Sequence, residues 1–169
     1  PFTMFTGLIQ TKATIKTITE KGSGKEMTIH IPGQLFDEIQ VGDSISISGV
    51  CSTATTLNNK TQTITIDYLK ETLNKTTLGQ ANEGDTVNIE LCLTPTTKMG
   101  GHIVSGHVDE VGQVQAFEKE GEWGVLTITF SKENSPYLIP KGSIAIDGIS
   151  LTVVAITEDT FSVHLIPHT

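Results

Sequence analysis

The apolar residues of this chain recur mostly at every second position. The segments "SISISGV" (44–50), "QTITIDYL" (62–69), "VLTITF" (125–130), "SIAIDGISLTVV" (143–154) and "FSVHLIP" (161–167) alternate apolar and polar side chains, with Gly, Asn, Asp or Lys clusters between them. A period of two sets one face of each segment against a core and the other against solvent, which predicts short β-strands. Several short strands at this spacing make a small closed or nearly closed barrel, which removes the sticky edges of an open sheet. Helical signals are few. "GQLFDEIQ" (33–40) and "ENSPYLI" (133–139) each predict one or two turns, and each stands ahead of a Ser-Ile strand.

The pattern is written twice. At an offset of 99, Gly49 falls on Gly148, Thr53 on Thr152, Ile45 on Ile144, Ile47 on Ile146, Ser44 on Ser143 and Cys51 on Ser150. The same offset pairs Gly7 with Gly106, Ile9 with Val108 and Ile15 with Val114. Two separated segments that keep one register indicate an internal duplication. The boundary is expected in "LTPTTKMGG" (93–101), which is rich in Pro, Thr and Gly and free of alternation. This divides the chain into 4–101 and 102–169, with residues 1–3 read as a cloning remnant ahead of Met4. The second copy stops at Thr169, which stands opposite Thr72 when "DYLKET" (67–72) is set against "HLIPHT" (164–169) at an offset of 97, so its continuation is expected to be missing from this chain.

Composition narrows the function. The net charge is -8 and all eleven basic residues are lysines. Nucleic-acid binding depends on clustered basic residues, so it is disfavoured. Without arginine there is no planar fork for bidentate phosphate recognition, and neither GxGxxG nor GxxxxGK occurs, so a phosphate-rich ligand is not expected. Cys51 and Cys92 form neither a disulfide framework nor a CxxC metal pair. The apolar runs are too short to span a bilayer and no leader pattern opens the chain, which points to a reducing, cytoplasmic setting without a membrane partner.

The motifs "MFTGLI" (4–9), "GDSISISGVC" (42–51), "ETLNKTTLG" (71–79), "GDTVNIE" (84–90), "GGHIVSGHVDEVG" (100–112), "KGSIAIDGISLTV" (141–153) and "HLIPHT" (164–169) resemble the riboflavin synthase family. The resemblance runs from Met4 onward. It implies an all-β fold of two tandem homologous six-stranded antiparallel, Greek-key-like barrels, with a C-terminal trimerisation helix missing from this chain. Each barrel of the family binds one 6,7-dimethyl-8-ribityllumazine. A four-carbon unit passes from one lumazine to the other, giving riboflavin and 5-amino-6-ribitylamino-uracil, without metal or added cofactor. The implied assembly is a homotrimer whose active sites form between the N-terminal barrel of one subunit and the C-terminal barrel of its neighbour. Enclosure in a lumazine synthase capsid is an analogy with some bacterial relatives. The same fold serves as a non-catalytic lumazine- or flavin-binding antenna in luminous bacteria, which is the alternative reading. A reductase-type FAD barrel normally uses an Arg, which this chain lacks.

The duplication and the resemblance together select the candidate residues. Cys51 and Ser150 hold equivalent places, and a thiol and a hydroxyl are candidates for nucleophile addition or proton handling, so the copies have room to divide donor and acceptor roles. His107 stands where the first copy has Leu8, and a ligand-contacting role is favoured over a structural one. A metal held by His102, His107 and Asp109 is a weak reading, because the spacing matches no zinc site. Asp147 is either a turn residue before Gly148 or an acid/base group beside Ser150 and Thr152. Lys141 is either a solvated turn residue or a stabiliser of developing negative charge. By the same resemblance Ser44 supplies a hydrogen bond and Phe5 an aromatic contact.

Substrate contacts are expected from Gly7, Leu8 and Ile9 with Gly106 and Val108, and from Ser52 and Thr53 with Leu151. Main-chain groups of two matching segments should meet the pteridine edge: Asp67, Tyr68, Leu69, Lys70, Glu71 and Thr72 in one copy, and His164, Leu165, Ile166, Pro167, His168 and Thr169 in the other. Family members usually carry Leu and Val where Ser52 and Ala54 stand, so the first pocket is expected to be roomier or more polar.

Overall fold

Two-residue turns fix the register of both halves. Ser48-Gly49 joins β3 (Ser44–Ile47) to β4 (Val50–Asn58) with φ of 46° and 83°, and Asp147-Gly148 joins β9 (Ser143–Ile146) to β10 (Ile149–Ile156) with φ of 47° and 82°. Positive φ at both central residues is the type I′ pattern, whose twist matches that of antiparallel strands. The computed structural model describes residues 4–169; residues 1–3, read above as a remnant, lie outside the described residues.

In the first half β1 (Thr11–Lys21), β2 (Gly24–His30), β5 (Thr63–Tyr68), β4, β3 and β6 (Thr86–Leu91) pair antiparallel in that order, and β6 returns to β1 to close a barrel. The second half repeats this order with β7 (Val114–Glu120), β8 (Trp123–Thr129), β11 (Thr160–Leu165), β10 and β9. The 3₁₀ turns Gln34–Glu38 and Lys132–Tyr137 fall where the sequence predicted them, and α1 (Lys70–Lys75) follows β5. The all-β duplicated fold is thus as expected, with one departure. Six strands were expected in each half, and the second forms an open five-stranded sheet. The offset of 99 sends β6 to positions beyond Thr169, and among the described residues no strand joins β7 to β9.

Closure decides how well equivalent residues are buried. Ile45 and Ile47 of β3 are fully buried between β4 and β6, whereas their counterparts Ile144 and Ile146 are half-buried. The first core gathers Ile15, Met27, Ile29, Ile64, Ile66 and Ile89. The second is smaller, built on Ile128, Phe130, Val153, Phe161 and Val163.

The extra room expected beside Ser52 is filled. Ser52 is buried, its hydroxyl donates to the Val50 carbonyl (3.0 Å) and bonds the phenol of Tyr68 (2.9 Å), and the buried Tyr68 ring takes the space. Burial pushes the Tyr68 phenol well above its ordinary value, so it stays protonated. The second copy has Leu151 and Leu165 at the two positions, one apolar pair in place of one hydrogen-bonded pair. Tyr68→Phe is expected to cost about 1 kcal/mol, since Ser52 keeps its carbonyl partner, and Tyr68→Ala about 3–5 kcal/mol through the cavity it leaves. Chemical denaturation measures both.

The halves meet about a pseudo-dyad. Phe5 and Val104 occupy equivalent positions and bond each other, Phe5 N–H to the Val104 carbonyl at 2.8 Å and Val104 N–H to the Phe5 carbonyl at 3.0 Å. Gly49 and Gly148, also equivalent, abut so closely that a Cβ on either would lie 2.7 Å from the backbone nitrogen of the other. Val108 of the second half packs on the core of the first.

Candidate active site at the seam between the halves

Each half holds the candidate nucleophile of the other. Gly7, at φ 77°, turns its carbonyl to the Ser150 N–H (2.8 Å), and Gly106, at φ 78°, turns its carbonyl to the Cys51 N–H (2.8 Å). A Cβ on Gly7 would lie 2.6 Å from Ser150 Cβ, and one on Gly106 2.7 Å from Cys51 Cβ. Both positions therefore need glycine, for the left-handed backbone and for the close approach. Beyond each glycine the chain copies itself again: Leu8 N–H reaches Thr6 Oγ1 and His107 N–H reaches Ser105 Oγ, both at 3.2 Å.

The side-chain environments differ between the copies. Cys51 is half-buried and shares a hydrogen bond with Ser44. Burial pushes its thiol above the ordinary value, the Ser44 bond opposes this in part, and Cys92 nearby adds to the rise. Cys51 is thus a thiol at neutral pH, suited to donating a hydrogen bond or proton rather than to acting as a preformed thiolate. Ser150 instead faces His102, whose Nδ1 lies 2.7 Å from its Oγ. Burial holds the His102 pKa below the ordinary 6.5, so the ring is neutral at pH 7, and in its Nε2-protonated tautomer Nδ1 accepts a hydrogen bond from the Ser150 hydroxyl. Gly101 permits this approach, since its Cβ would run into the Thr6 carbonyl and come within 3.0 Å of Ser150 Cβ.

A depressed histidine pKa has a definite sign. The unfolded chain binds the His102 proton more readily, so the neutral ring's share of stability is complete above about pH 6.5 and is lost as pH falls through the lower folded pKa. Turnover is expected to show an acid limb with its midpoint below 6.5. His102→Asn is expected to abolish that limb, which a pH–rate profile measures.

The remaining candidates lie around the seam and along the strand ends. The His107 side chain is exposed at the rim of a cavity of about 570 Å³ that also meets Gly106, Val108 and Asp147. Asp147 is the first residue of its type I′ turn, and crowding of its carboxyl raises its pKa although the residue keeps contact with solvent. Asn88 of the first half donates to the Asp147 carbonyl (3.0 Å). Lys141 is exposed and takes φ 65° where the first copy has Gly42, and the N–H of each bonds the following hairpin strand at 2.8 Å. Thr53 and Thr152 are exposed opposite Ser44 and Ser143. Phe5 is fully buried in the dyad bridge, Leu8 is exposed and Ile9 half-buried, with a Cβ on Gly148 coming 3.4 Å from Ile9 Cδ1.

Of the two matching segments, Asp67 and Tyr68 end β5, Leu69, Glu71 and Lys70 are exposed at the start of α1, and Thr72 is half-buried there. His164 and Leu165 end β11, and Ile166, Pro167, His168 and Thr169 form an exposed turn closed by Thr169 N–H to the Ile166 carbonyl (2.9 Å). Ser52 and Tyr68 turn inward, whereas Leu151 packs on the second core. The walls of the 570 Å³ cavity also include Ile128, Phe130 and Phe161, counterparts of the core residues Ile29, Ile31 and Ile64, so it reaches into the interior of the open second sheet. Among the described residues no group of three or more His, Cys, Asp or Glu is placed to hold a metal, and no helix is long and apolar enough to cross a membrane.

A closed barrel and an open five-stranded sheet of the same strand order, facing each other across a dyad, define a duplicated lumazine-binding-domain protein, and the lumazine binding domain family matches residues 6–92 and 105–169. The chain is 38% identical to a riboflavin synthase of Photobacterium phosphoreum over 98% of its own length and 75% of that protein's. It is 36% identical to that of Bacillus subtilis (98% and 76%) and 39% identical to that of Chlamydia pneumoniae (98% and 80%). The chain belongs to the riboflavin synthase family. Its fold matches LumP complexed with 6,7-dimethyl-8-(1'-D-ribityl) lumazine at TM-score 0.86, covering 97% of this chain and 87% of that one, and LumP complexed with riboflavin at 0.88 (97% and 88%), each at 20% identity.

Sequence reasoning left out two residues that the structure brings to the seam. The sequence offers His102 only as a weak metal ligand, although the Gly-Gly pair before it marks a close backbone approach. Glu90 stands at an outward position of its strand pattern and is nonetheless a buried carboxylate.

Proposed function

We propose that the chain catalyses the dismutation of two molecules of 6,7-dimethyl-8-ribityllumazine. One molecule gives up C6 and C7 with their methyl groups, and the other receives these four carbons and becomes riboflavin. What remains of the donor is 5-amino-6-ribitylamino-uracil. The two products contain all the atoms of the two substrates, so the sum calls for no oxidant, reductant or cofactor. The observation that carries this reading is the reciprocal seam: one backbone carbonyl from each half fixes the thiol or hydroxyl candidate of the other. Two like substrates are served by two like seats whose entropy is lost before the chemistry.

In this reading one lumazine is attacked at C7 while the other loses a proton from its C7 methyl, and Cys51 with Ser44, and Ser150 with Thr152, take up addition and proton transfer. His107, Lys141 and Asp147 surround the ring, with Lys141 offsetting the carbanion's charge. The strand ends 67–72 and 164–169 offer main-chain groups to the pteridine edges. The unit boundary near residues 101 and 102 and a cytoplasmic setting belong to the same reading. So does a homotrimer pairing the first half of one copy with the second half of the next, and exposed Ile103, Trp123 and Tyr137 support burial in such a contact. Light scattering of the purified protein tests the assembly.

The antenna alternative rests on the LumP fold match, which at 20% identity speaks to fold alone. Incubation with lumazine separates the two. A synthase yields riboflavin absorbance, and an antenna binds the ligand and returns it unchanged.

A further inference from the structure

Glu90 is 3% exposed, and none of the ion pairs among the described residues includes it. A carboxylate in such a place must be met by hydrogen-bond donors, or its burial is prohibitive. The donors come from the segment before β1. Thr6 N–H donates to Oε1 at 2.6 Å, the Thr6 hydroxyl donates to the same oxygen, and Gly7 N–H donates to Oε2 at 2.9 Å. Thr6 Oγ1 in turn accepts the Leu8 N–H. Residues 6–8 thus wrap around one side chain of β6.

The far side of this turn is the seam. The Gly7 residue that gives its N–H to Glu90 gives its carbonyl to the Ser150 N–H, and Thr6 gives its carbonyl to the His102 N–H at 3.0 Å. Both members of the Ser150–His102 pair therefore hang from backbone that Glu90 anchors.

We propose that Glu90 is a positioning residue for Ser150 and His102, acting across the pseudo-dyad through the Thr6 and Gly7 peptides; the catalytic part of this rests on the dismutase reading above. The carboxylate touches no reacting atom. It sets where the Ser150 hydroxyl stands, and an error of about 1 Å in such a placement costs on the order of 10²-fold in rate.

Three variants test it: Glu90→Gln, Glu90→Asp and Thr6→Val. Glu90→Gln presents an amide donor toward the Gly7 N–H or loses the Thr6 contacts. It is expected to lower kcat by roughly 10- to 100-fold at temperatures well below its Tm, with KM within about threefold of the parent's. Glu90→Asp keeps the charge on a shorter arm and is expected to fall between, whereas Thr6→Val keeps both amide bonds and most of the rate. Hydrogen exchange at the Ser150 amide, read in the same samples, is expected to quicken about tenfold in Glu90→Gln and stay near the parent's in Thr6→Val. A folded Glu90→Gln with parental kcat, or with Ser150 protection unchanged, overturns the proposal. Should Glu90→Gln fail to fold, parental kcat and protection in Glu90→Asp overturn it instead. A parent chain that makes no riboflavin refutes the functional reading, and the exchange result still decides the positioning claim.

Discussion

Gly7→Ala is expected to lower stability by about 3 kcal/mol, or roughly 6–12 °C in Tm, and turnover by on the order of 10²-fold. Two effects combine at this position. An alanine at φ 77° is strained, and its Cβ would lie 2.6 Å from Ser150 Cβ and 2.8 Å from the Ser150 backbone nitrogen, so one half must shift against the other. Gly106→Ala should do the same on the Cys51 side, where the distances are 2.7 and 2.8 Å. Gly22→Ala is the control: its φ is 64°, but nothing lies within 4 Å of a new Cβ, so only the backbone term of about 1 kcal/mol applies. Calorimetry and steady-state rates read all three. Parental behaviour of Gly7→Ala would mean that the seam is not held as described.

His107→Ala is expected to lower turnover by about 10²-fold or more while changing stability by less than about 0.5 kcal/mol. The side chain is exposed, and the one hydrogen bond at this residue that braces the turn comes from its backbone N–H, which alanine keeps. Scaffold and function therefore separate cleanly here. A loss of stability equal to the loss of rate would make His107 part of the framework. A parental rate would remove it from the site.

Much of the fold was legible in the sequence because duplication writes it in two places. The pairs Gly49/Gly148 and Gly7/Gly106 share not only an offset but also their φ, within a degree in each pair. The alternation in β3 and β9 gave the right strands, and it also shows where pattern alone stops. "DTVNIEL" reads Val87 and Ile89 inward and Asn88 and Glu90 outward, which is correct for the barrel. Outward is not exposed, however, because residues 4–8 lie across that face and bury the Glu90 carboxyl. No local period carries such a long-range cover. His102 escaped notice for the same reason, since its partner Ser150 is 48 residues away. The coupled exchange of Ser52 and Tyr68 against Leu151 and Leu165 was half visible: the small residue suggested room, and only the fold showed which ring fills it.

The difference between the halves is equally physical. Equivalent isoleucines are buried to different degrees because β6 covers one set and, among the described residues, no strand joins β7 to β9 over the other. Cys51 and Ser150 stand at the seam, each held by a backbone carbonyl of the opposite half.

The central claim is that two identical lumazines react with each other across equivalent seats. It is tested most directly by giving the protein an equal mixture of unlabelled lumazine and lumazine carrying ¹³C at C6, C7 and both methyl groups. Mass spectra of the riboflavin should contain unlabelled, half-labelled and fully labelled forms, with the half-labelled form most abundant, and one uracil product should appear for each riboflavin. Riboflavin without the half-labelled form, or bound lumazine recovered unchanged, would contradict the account.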